Sequence, residues 1–236
     1  MRILVIGDAC IDEYRYGEIR RVNPESTAPL LNFENSEEKL GMAFNVAKNL
    51  RSFGVVVELL VPTEMSRKIR YIDRRTGEHL LRVEHDVQAQ SCLVGSKYMF
   101  DAIVISDYDK GFVTNKVIQK LRKRFKGPIY MDTKKHNLAD FAGIYIKINQ
   151  RELYESTSIP EPDKLIVTYG AKGCGYKESL YPAKVIEVVD VCGAGDVFLA
   201  AMVFKHLETG DMDIALPFAN EKAAISCQSI GAVCVS

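Results

Sequence analysis

Gly193-Ala194-Gly195-Asp196 combines a backbone open to a bulky anion with a carboxylate directly beside it. Glycine carries no Cβ, so main-chain N–H groups at such a turn can approach a phosphate closely. If a helix starts here, its first N–H groups have no intrahelical acceptor, and its dipole adds positive potential at the same point. A carboxylate beside an anion site is a poor ligand but a good base. Asp196 could take a proton from a hydroxyl while the turn stabilises charge on the phosphoryl group being attacked. The same four residues also fit an ordinary strand-to-helix turn with Asp196 as a first-turn helix acid, and on the local pattern both readings stand. A Walker-type phosphate loop is excluded because no Gly-Lys-Ser/Thr follows. The dinucleotide pattern fails at Phe198, where its third glycine belongs.

The flanks indicate which elements must position this turn. Val188-Val189-Asp190-Val191 is a β-branched run and predicts a strand, and Phe198 to Leu207 has helical spacing. Upstream, Arg2 to Ile6 is a near-continuous apolar run, the pattern of a parallel strand buried on both faces. Ligands of open α/β sheets bind beyond the carboxyl ends of strands, which puts Asp12 where it could accept hydrogen bonds from hydroxyls or simply cap the next element. Tyr14 to Phe33, broken by Gly17, Pro24 and Pro29, reads as an edge strand or flap rather than a central strand. A helix is expected from Gly41 to Leu50, then a strand from Val55 to Val61. Two strands around Thr76-Gly77 (Lys68–Asp73 and His79–Glu84) form a hairpin, whose Arg70 and Arg82 could meet a phosphate. A helix-like piece spans Cys92 to Phe100. Strand Ala102–Ser106, helix Asn115–Phe125 and strand Ile129–Asp132 follow. Strand Ile144–Ile148 leads to Asn149 and Glu152, spaced as a capping box. Strand Leu165–Val167, short antiparallel strands over Cys174–Val189 turning near Tyr181-Pro182, and a helix over Asp213–Ser229 complete an α/β chain.

The 236 residues suit one α/β domain, with 47% hydrophobic and 26% charged residues. The 31 basic and 31 acidic residues cancel, which argues against a nucleic-acid footprint. No apolar run is long enough to span a bilayer, and Met-Arg-Ile-Leu-Val starts directly as a strand without a signal peptide. The six cysteines form no CxxC pair and read as reduced thiols of a cytoplasmic protein. No HExxH pattern suggests a histidine-built metal site.

Asp190-Val191-Cys192-Gly193-Ala194-Gly195-Asp196 resembles the signature of the ribokinase-like (PfkB) sugar kinases, with Val191 where Thr or Ser is usual. The resemblance implies a ribokinase-like three-layer sandwich with a mostly parallel sheet and a small β lid, as one domain over 1–236 with lid segments at about 13–33 and 67–84. It makes Asp196 the base and Gly193, Ala194 and Gly195 the anion turn. It also implies sugar contacts at Asp12 and, from the Gly-Gly/Ala-x-Asn-x-Ala signature, at Gly41 and Asn45; Met42 replaces the second glycine. Asn149 and Glu152 resemble the magnesium and phosphate motif, with Glu152 toward the metal. Thr168, Gly170 and Gly173 resemble the nucleotide loop, Asn220 a position near adenine, and Lys134 a nucleotide-phosphate contact. ATP and Mg2+ are the implied cofactors. Pro62 to Lys68 directly follows the expected strand, so one βα unit of the family is missing.

Arg21-Val22-Asn23-Pro24-Glu25-Ser26-Thr27-Ala28-Pro29 and Ser106-Asp107-Tyr108-Asp109-Lys110-Gly111 are most similar to the kinase domain that acts on heptose 7-phosphate in lipopolysaccharide precursor synthesis. That resemblance implies D-glycero-D-manno-heptose 7-phosphate, phosphorylated at the anomeric position, with Arg70 toward the sugar phosphate. It also implies a homodimer joined through the lid; that no nucleic-acid or membrane partner is expected follows instead from the charge balance and the lack of a membrane-length apolar run. A catalytically degenerate relative that only binds a sugar phosphate or nucleotide, and a kinase for another sugar or a nucleoside, are the alternatives.

Overall fold

The computed structural model describes residues 1–92, 99–229, 231 and 233–235, so most of the helix-like piece expected over 92–100 lies outside the described residues. The chain opens with β1 (Arg2–Gly7), then two long strands, β2 (Ala9–Val22) and β3 (Pro29–Met42). Helix α1 (Ala43–Ser52), β4 (Val56–Leu60), β5 (Ser66–Asp73) and β6 (His79–His85) follow. The middle of the chain alternates: β7 (Ala102–Asp107), α2 (Asn115–Arg124), β8 (Ile129–Thr133), β9 (Tyr145–Asn149), α3 (Gln150–Glu155) and β10 (Leu165–Thr168). The short strands β11 (Cys174–Tyr176) and β12 (Ser179–Tyr181) precede helices α4 (Ala194–Thr209) and α5 (Met212–Ser226).

The main sheet runs in the order β12-β11-β10-β9-β8-β7-β1-β4. The strands from β10 to β4 are parallel, and β11 and β12 are antiparallel. Side chains alternate across a strand, so one sheet feeds two cores. Ile3 and Val5 of β1 and Val104 of β7 pack against Ala47 and Leu50 of α1, Leu199 and Met202 of α4 and Leu216 of α5. Leu4, Ile6 and Ile105 face the other way, onto Ile118 and Leu121 of α2. This is a three-layer α/β sandwich. The sheet ends at β4, and the chain passes through Pro62–Met65 directly into β5 of a second sheet, as the missing βα unit implies. Among the described residues no helix is long and apolar enough to cross a membrane.

The second sheet, β3-β2-β5-β6, stands at the carboxyl end of β1. Residues 14–33, expected to be an edge strand or flap, enter two 14-residue strands: β3 is an edge strand, but β2 is interior, paired with β3 and β5. The prolines permit this because Pro24 lies in the connection and Pro29 is the first residue of the edge strand β3, where no ladder donor is lost. Gly17 is needed where the register shifts, since a Cβ there would lie 2.3 Å from the Asn32 carbonyl oxygen.

Two local expectations are corrected. The β-branched run before the Gly-Ala-Gly turn is not a strand: Val188, Val189 and Val191 are exposed, and the Val189 and Asp190 N–H groups donate to the Cys227 carbonyl. Val188 and Val191 line a cleft instead of a core, which is why an apolar run here needs no sheet partner. The β11–β12 turn falls at Lys177, with φ of 53°, rather than at Tyr181-Pro182.

Candidate active site

Gly193 caps α4 with φ of 77°, a left-handed conformation that glycine adopts freely. The Ala194 N–H makes a long 3.3 Å bond to the Val191 carbonyl, while the Asp196 and Val197 N–H groups turn back to the Gly193 carbonyl. The N–H groups of Gly193 and Gly195 have no protein acceptor among the described residues. They are the open donors of the turn. Beneath it, Lys147 in the middle of β9 forms a buried ion pair with Asp132 of β8, Nζ to Oδ2 2.7 Å. A Cβ on Gly195 would come 2.9 Å from the Lys147 ammonium, so the lysine lies directly against the turn. Burial alone would lower the Lys147 pKa, but the Asp132 charge holds it above the usual value and keeps the ammonium charged.

Asp196 is 5% exposed. Its Oδ2 accepts from Asn45 Nδ2 at 3.0 Å, and its Oδ1 accepts from the Tyr108 hydroxyl at 3.2 Å. Burial pushes its carboxyl up to about 6. The nearby Asp132 charge adds to the rise, while the hydrogen bonds from Asn45 and Tyr108 and the Lys147 charge oppose it. A carboxyl tuned to that value is largely ionised at neutral pH and still basic enough to accept a proton.

Two cavities meet at this turn. The smaller, about 80 Å³, lies toward the second sheet and is lined by Asp12, Gly41, Lys68, Arg70, Tyr108 and Asp196, among others. Asp12 and Arg70 form a buried pair across β2 and β5, 2.5 Å apart, with the guanidinium 5.2 Å from the Tyr14 ring centre. A Cβ on Gly41 would lie 2.2 Å from Asp12 Oδ2, so only glycine leaves that oxygen room. Met42 has φ of 58°, a left-handed conformation that is costly for a non-glycine residue. Asn45 does not line this pocket; its amide spans Asp196 and the Gly193 carbonyl. Arg82 is exposed and pairs with Glu84.

The larger cleft, about 340 Å³, runs from Ala194 and Gly195 past Thr168, Gly170 and Gly173 to Asn220. Gly170 and Gly173 have φ of 59° and 95°, and the Tyr169 N–H closes their turn onto the Gly173 carbonyl at 2.7 Å. Asn220 donates to the Tyr181 carbonyl at 2.8 Å and so anchors the far wall. Asn149 and Glu152 form the expected capping box on α3, and Lys134 pairs with Glu152. Among the described residues no three acidic, histidine or cysteine side chains gather as a metal cage. Glu152 is the acidic group here, its two oxygens accepting from the Asn149 N–H and the Lys134 ammonium. Magnesium keeps much of its shell as water and phosphate oxygen and needs only one or two carboxylates, a role Glu152 could fill in exchange for its Lys134 contact.

Tyr108, Lys68 and the Lys147–Asp132 pair are the site features that residue types and spacing did not single out. A signal existed for Lys68: it stands two residues from Arg70 on a strand and therefore on the same face. None existed for the contacts of Tyr108 and Lys147 with α4, which depend on strand order.

The family model described as "pfkB family carbohydrate kinase" matches residues 80–235. A bifunctional protein HldE from Rhodopseudomonas palustris (strain BisA53) is 27% identical over 302 aligned positions, covering 99% of this chain and 61% of that protein. HldE from Campylobacter jejuni subsp. doylei is 28% identical, covering 100% of this chain and 63% of the relative. The chain thus spans about three-fifths of the length of these curated relatives. Among solved structures, Thermotoga maritima ribokinase is similar at a TM-score of 0.70 and 17% identity, covering 98% of this chain and 94% of that one. Escherichia coli phosphofructokinase-2 is similar at 0.72 and 14% identity, with coverage of 99% and 95%. These likenesses give the ribokinase-like fold, and the family match extends over the glycine turns at Gly170–Gly173 and Gly193–Gly195 and over Asp196. The chain belongs to the pfkB family of carbohydrate kinases, phosphotransferases with an alcohol group as acceptor.

Proposed function

We propose that this chain transfers the γ-phosphoryl group of ATP to a sugar phosphate, specifically to the anomeric hydroxyl of D-glycero-D-manno-heptose 7-phosphate. The observation that carries the reading is the meeting of two cavities on one turn: the larger ends on Ala194 and Gly195, the smaller on Gly193 and Asp196. The larger would take ATP, with its phosphates toward the open N–H groups. The smaller would take the sugar, with hydroxyls on Asp12. Asp196 removes the proton of the attacking hydroxyl, whose oxygen bonds to the γ-phosphorus as the bond to the β,γ-bridging oxygen breaks and ADP leaves with the electron pair. The Gly193 and Gly195 N–H groups and the Lys147 charge beneath them stabilise the charge on the transferring group. Bound magnesium would screen the phosphate charge, with Glu152 as its acidic neighbour and Lys134, now paired with Glu152, as a counter-charge.

A phosphorylated acceptor is favoured by Lys68. It lines the smaller pocket and has no acidic partner among the described residues, whereas Arg70 is already committed to Asp12. The heptose reading rests on the similarity of Arg21–Pro29 and Ser106–Gly111 to heptose-phosphate kinases and on the HldE relatives. ADP release with a panel of sugars, sugar phosphates and nucleosides tests it. The heptose 7-phosphate should give the highest kcat/KM. A faster non-phosphorylated sugar or nucleoside would overturn the acceptor class. Calorimetric binding without ADP from any acceptor would make the chain a binding protein.

A further inference from the structure

Tyr108 belongs to none of the glycine turns or acidic motifs that define the site, yet its hydroxyl reaches the candidate base. Its backbone is held rigidly. The carboxylate of Asp8, at the end of β1, accepts the Tyr108 N–H at 2.7 Å and the Lys110 N–H at 3.3 Å. The loop after β7 is thereby tied to the strand beside it. From this anchor the phenol crosses to α4 and donates to Asp196 Oδ1 at 3.2 Å. The ring centre lies 5.5 Å from the Lys68 ammonium, on the second sheet, and 5.4 Å from that of Lys134, beside Glu152. Both are within cation–π range.

We propose that Tyr108 is a positioning residue for Asp196: its O–H donation fixes Oδ1 and favours the ionised carboxylate, leaving the second lone pair of each oxygen for the acceptor hydroxyl. The inference rests on reading Asp196 as the base. Asp196 is also faced by Asn45 from α1, Cys10 from β2, Asp132 from β8 and Lys147 from β9. Asp132 and burial disfavour the carboxylate, while Lys147 and the two hydrogen bonds favour it. Of the two donors, only Tyr108 can be deleted without changing the packing shape, because Phe lacks just the hydroxyl. Burial, then the negative charges of Asp196 and Asp132, holds the phenol well above its ordinary pKa, so it remains a donor throughout the working range. A hydrogen bond that favours the charged form lowers a carboxyl pKa, and removing it must raise the pKa.

The test follows the Asp196 carboxyl itself by carbon-13 NMR of the protein labelled at aspartate carboxyls, with the signal assigned by its loss in Asp196→Asn. Tyr108→Phe should raise the titration midpoint by roughly half a pH unit or more, the size a net hydrogen bond to a carboxylate implies. Site-specific 3-fluorotyrosine at position 108, a more acidic and stronger donor, should move it downward. If the protein turns over, the acid limb of kcat should move with the midpoint in both variants while the KM for ATP stays unchanged. A midpoint unmoved in both variants would reduce Tyr108 to packing and overturn the proposal. The titration needs no turnover, so a chain that releases no ADP with any acceptor would defeat the kinase reading while leaving this measurement decisive.

Discussion

Asn45 and Asp196 stand 151 positions apart in the chain, yet the Asn45 amide donates to the Asp196 carboxylate at 3.0 Å and also reaches the Gly193 carbonyl. Helix α1 thereby grips the first turn of α4 and aims its acid. Asp196→Asn should lower kcat by about 10²–10⁴, the usual loss on removing a general base, with ATP affinity by calorimetry nearly unchanged. Asn45→Ala should lower kcat less, by roughly tenfold, because the base remains but is held only by Tyr108. Near-wild-type turnover in Asp196→Asn would remove this residue from the chemistry.

The Asp196 carboxyl, raised from 3.8 to about 6, gives two linked expectations. Turnover should fall on the acid side with a midpoint near 6, as the base becomes protonated. Stability follows the opposite sense. A folded-state pKa above the unfolded one means that protonation favours the folded state, so the penalty is absent below about pH 4 and complete above about pH 6. Asp196→Asn should therefore raise the melting temperature at pH 8 and leave it unchanged at pH 4. The gain is at most about 3 kcal/mol, the value of roughly two pKa units. Equal effects at both pH values would mean that the carboxyl is not desolvated as the fold implies.

Lys68 should discriminate acceptors by charge. Lys68→Met removes one charge-assisted contact and should raise the KM for a phosphorylated acceptor roughly 10–100-fold, with kcat much less affected. The KM for ATP should stay the same. A uniform rise for phosphorylated and plain sugars would place the acceptor phosphate elsewhere.

Gly41 carries a steric prediction. Its Cβ in Gly41→Ala would meet Asp12 Oδ2 at 2.2 Å and Cys10 Sγ at 2.8 Å. Asp12 cannot easily step aside, because Arg70 holds it from the neighbouring strand. The variant should lose about 1–3 kcal/mol of stability and weaken acceptor binding more than tenfold while still binding ATP. Wild-type acceptor affinity would show that Asp12 is not a sugar contact.

Much of this architecture can be read along the chain, because short-range rules govern it. The open donors at Gly193 and Gly195, the capping box of Asn149 and Glu152, and the parallel strands from Ile3 and Ala102 each depend on a few consecutive residues and their backbone hydrogen bonds. Where neighbours at a distance decide, local pattern misleads. Val188, Val189 and Val191 have strand composition but pair with no strand, two of them walling a cleft; Pro29 does open an edge strand, but the same reading extended to Tyr14–Val22 fails because β2 is interior.

Residue identity by itself set which groups could do chemistry here: an acid in the first turn after two glycines, and a basic hairpin. Only the tertiary structure decided which of them act together. Strand order brings Lys147 and Asp132 under Gly195, and Tyr108 and Asn45 onto opposite oxygens of Asp196; Arg70 is committed to Asp12, while Lys68 lines the smaller pocket with its ammonium over the Tyr108 ring. The reason is that a side chain's charge and hydrogen-bonding capacity belong to its residue type, whereas desolvation and partner choice arise only when distant segments share a low-dielectric site.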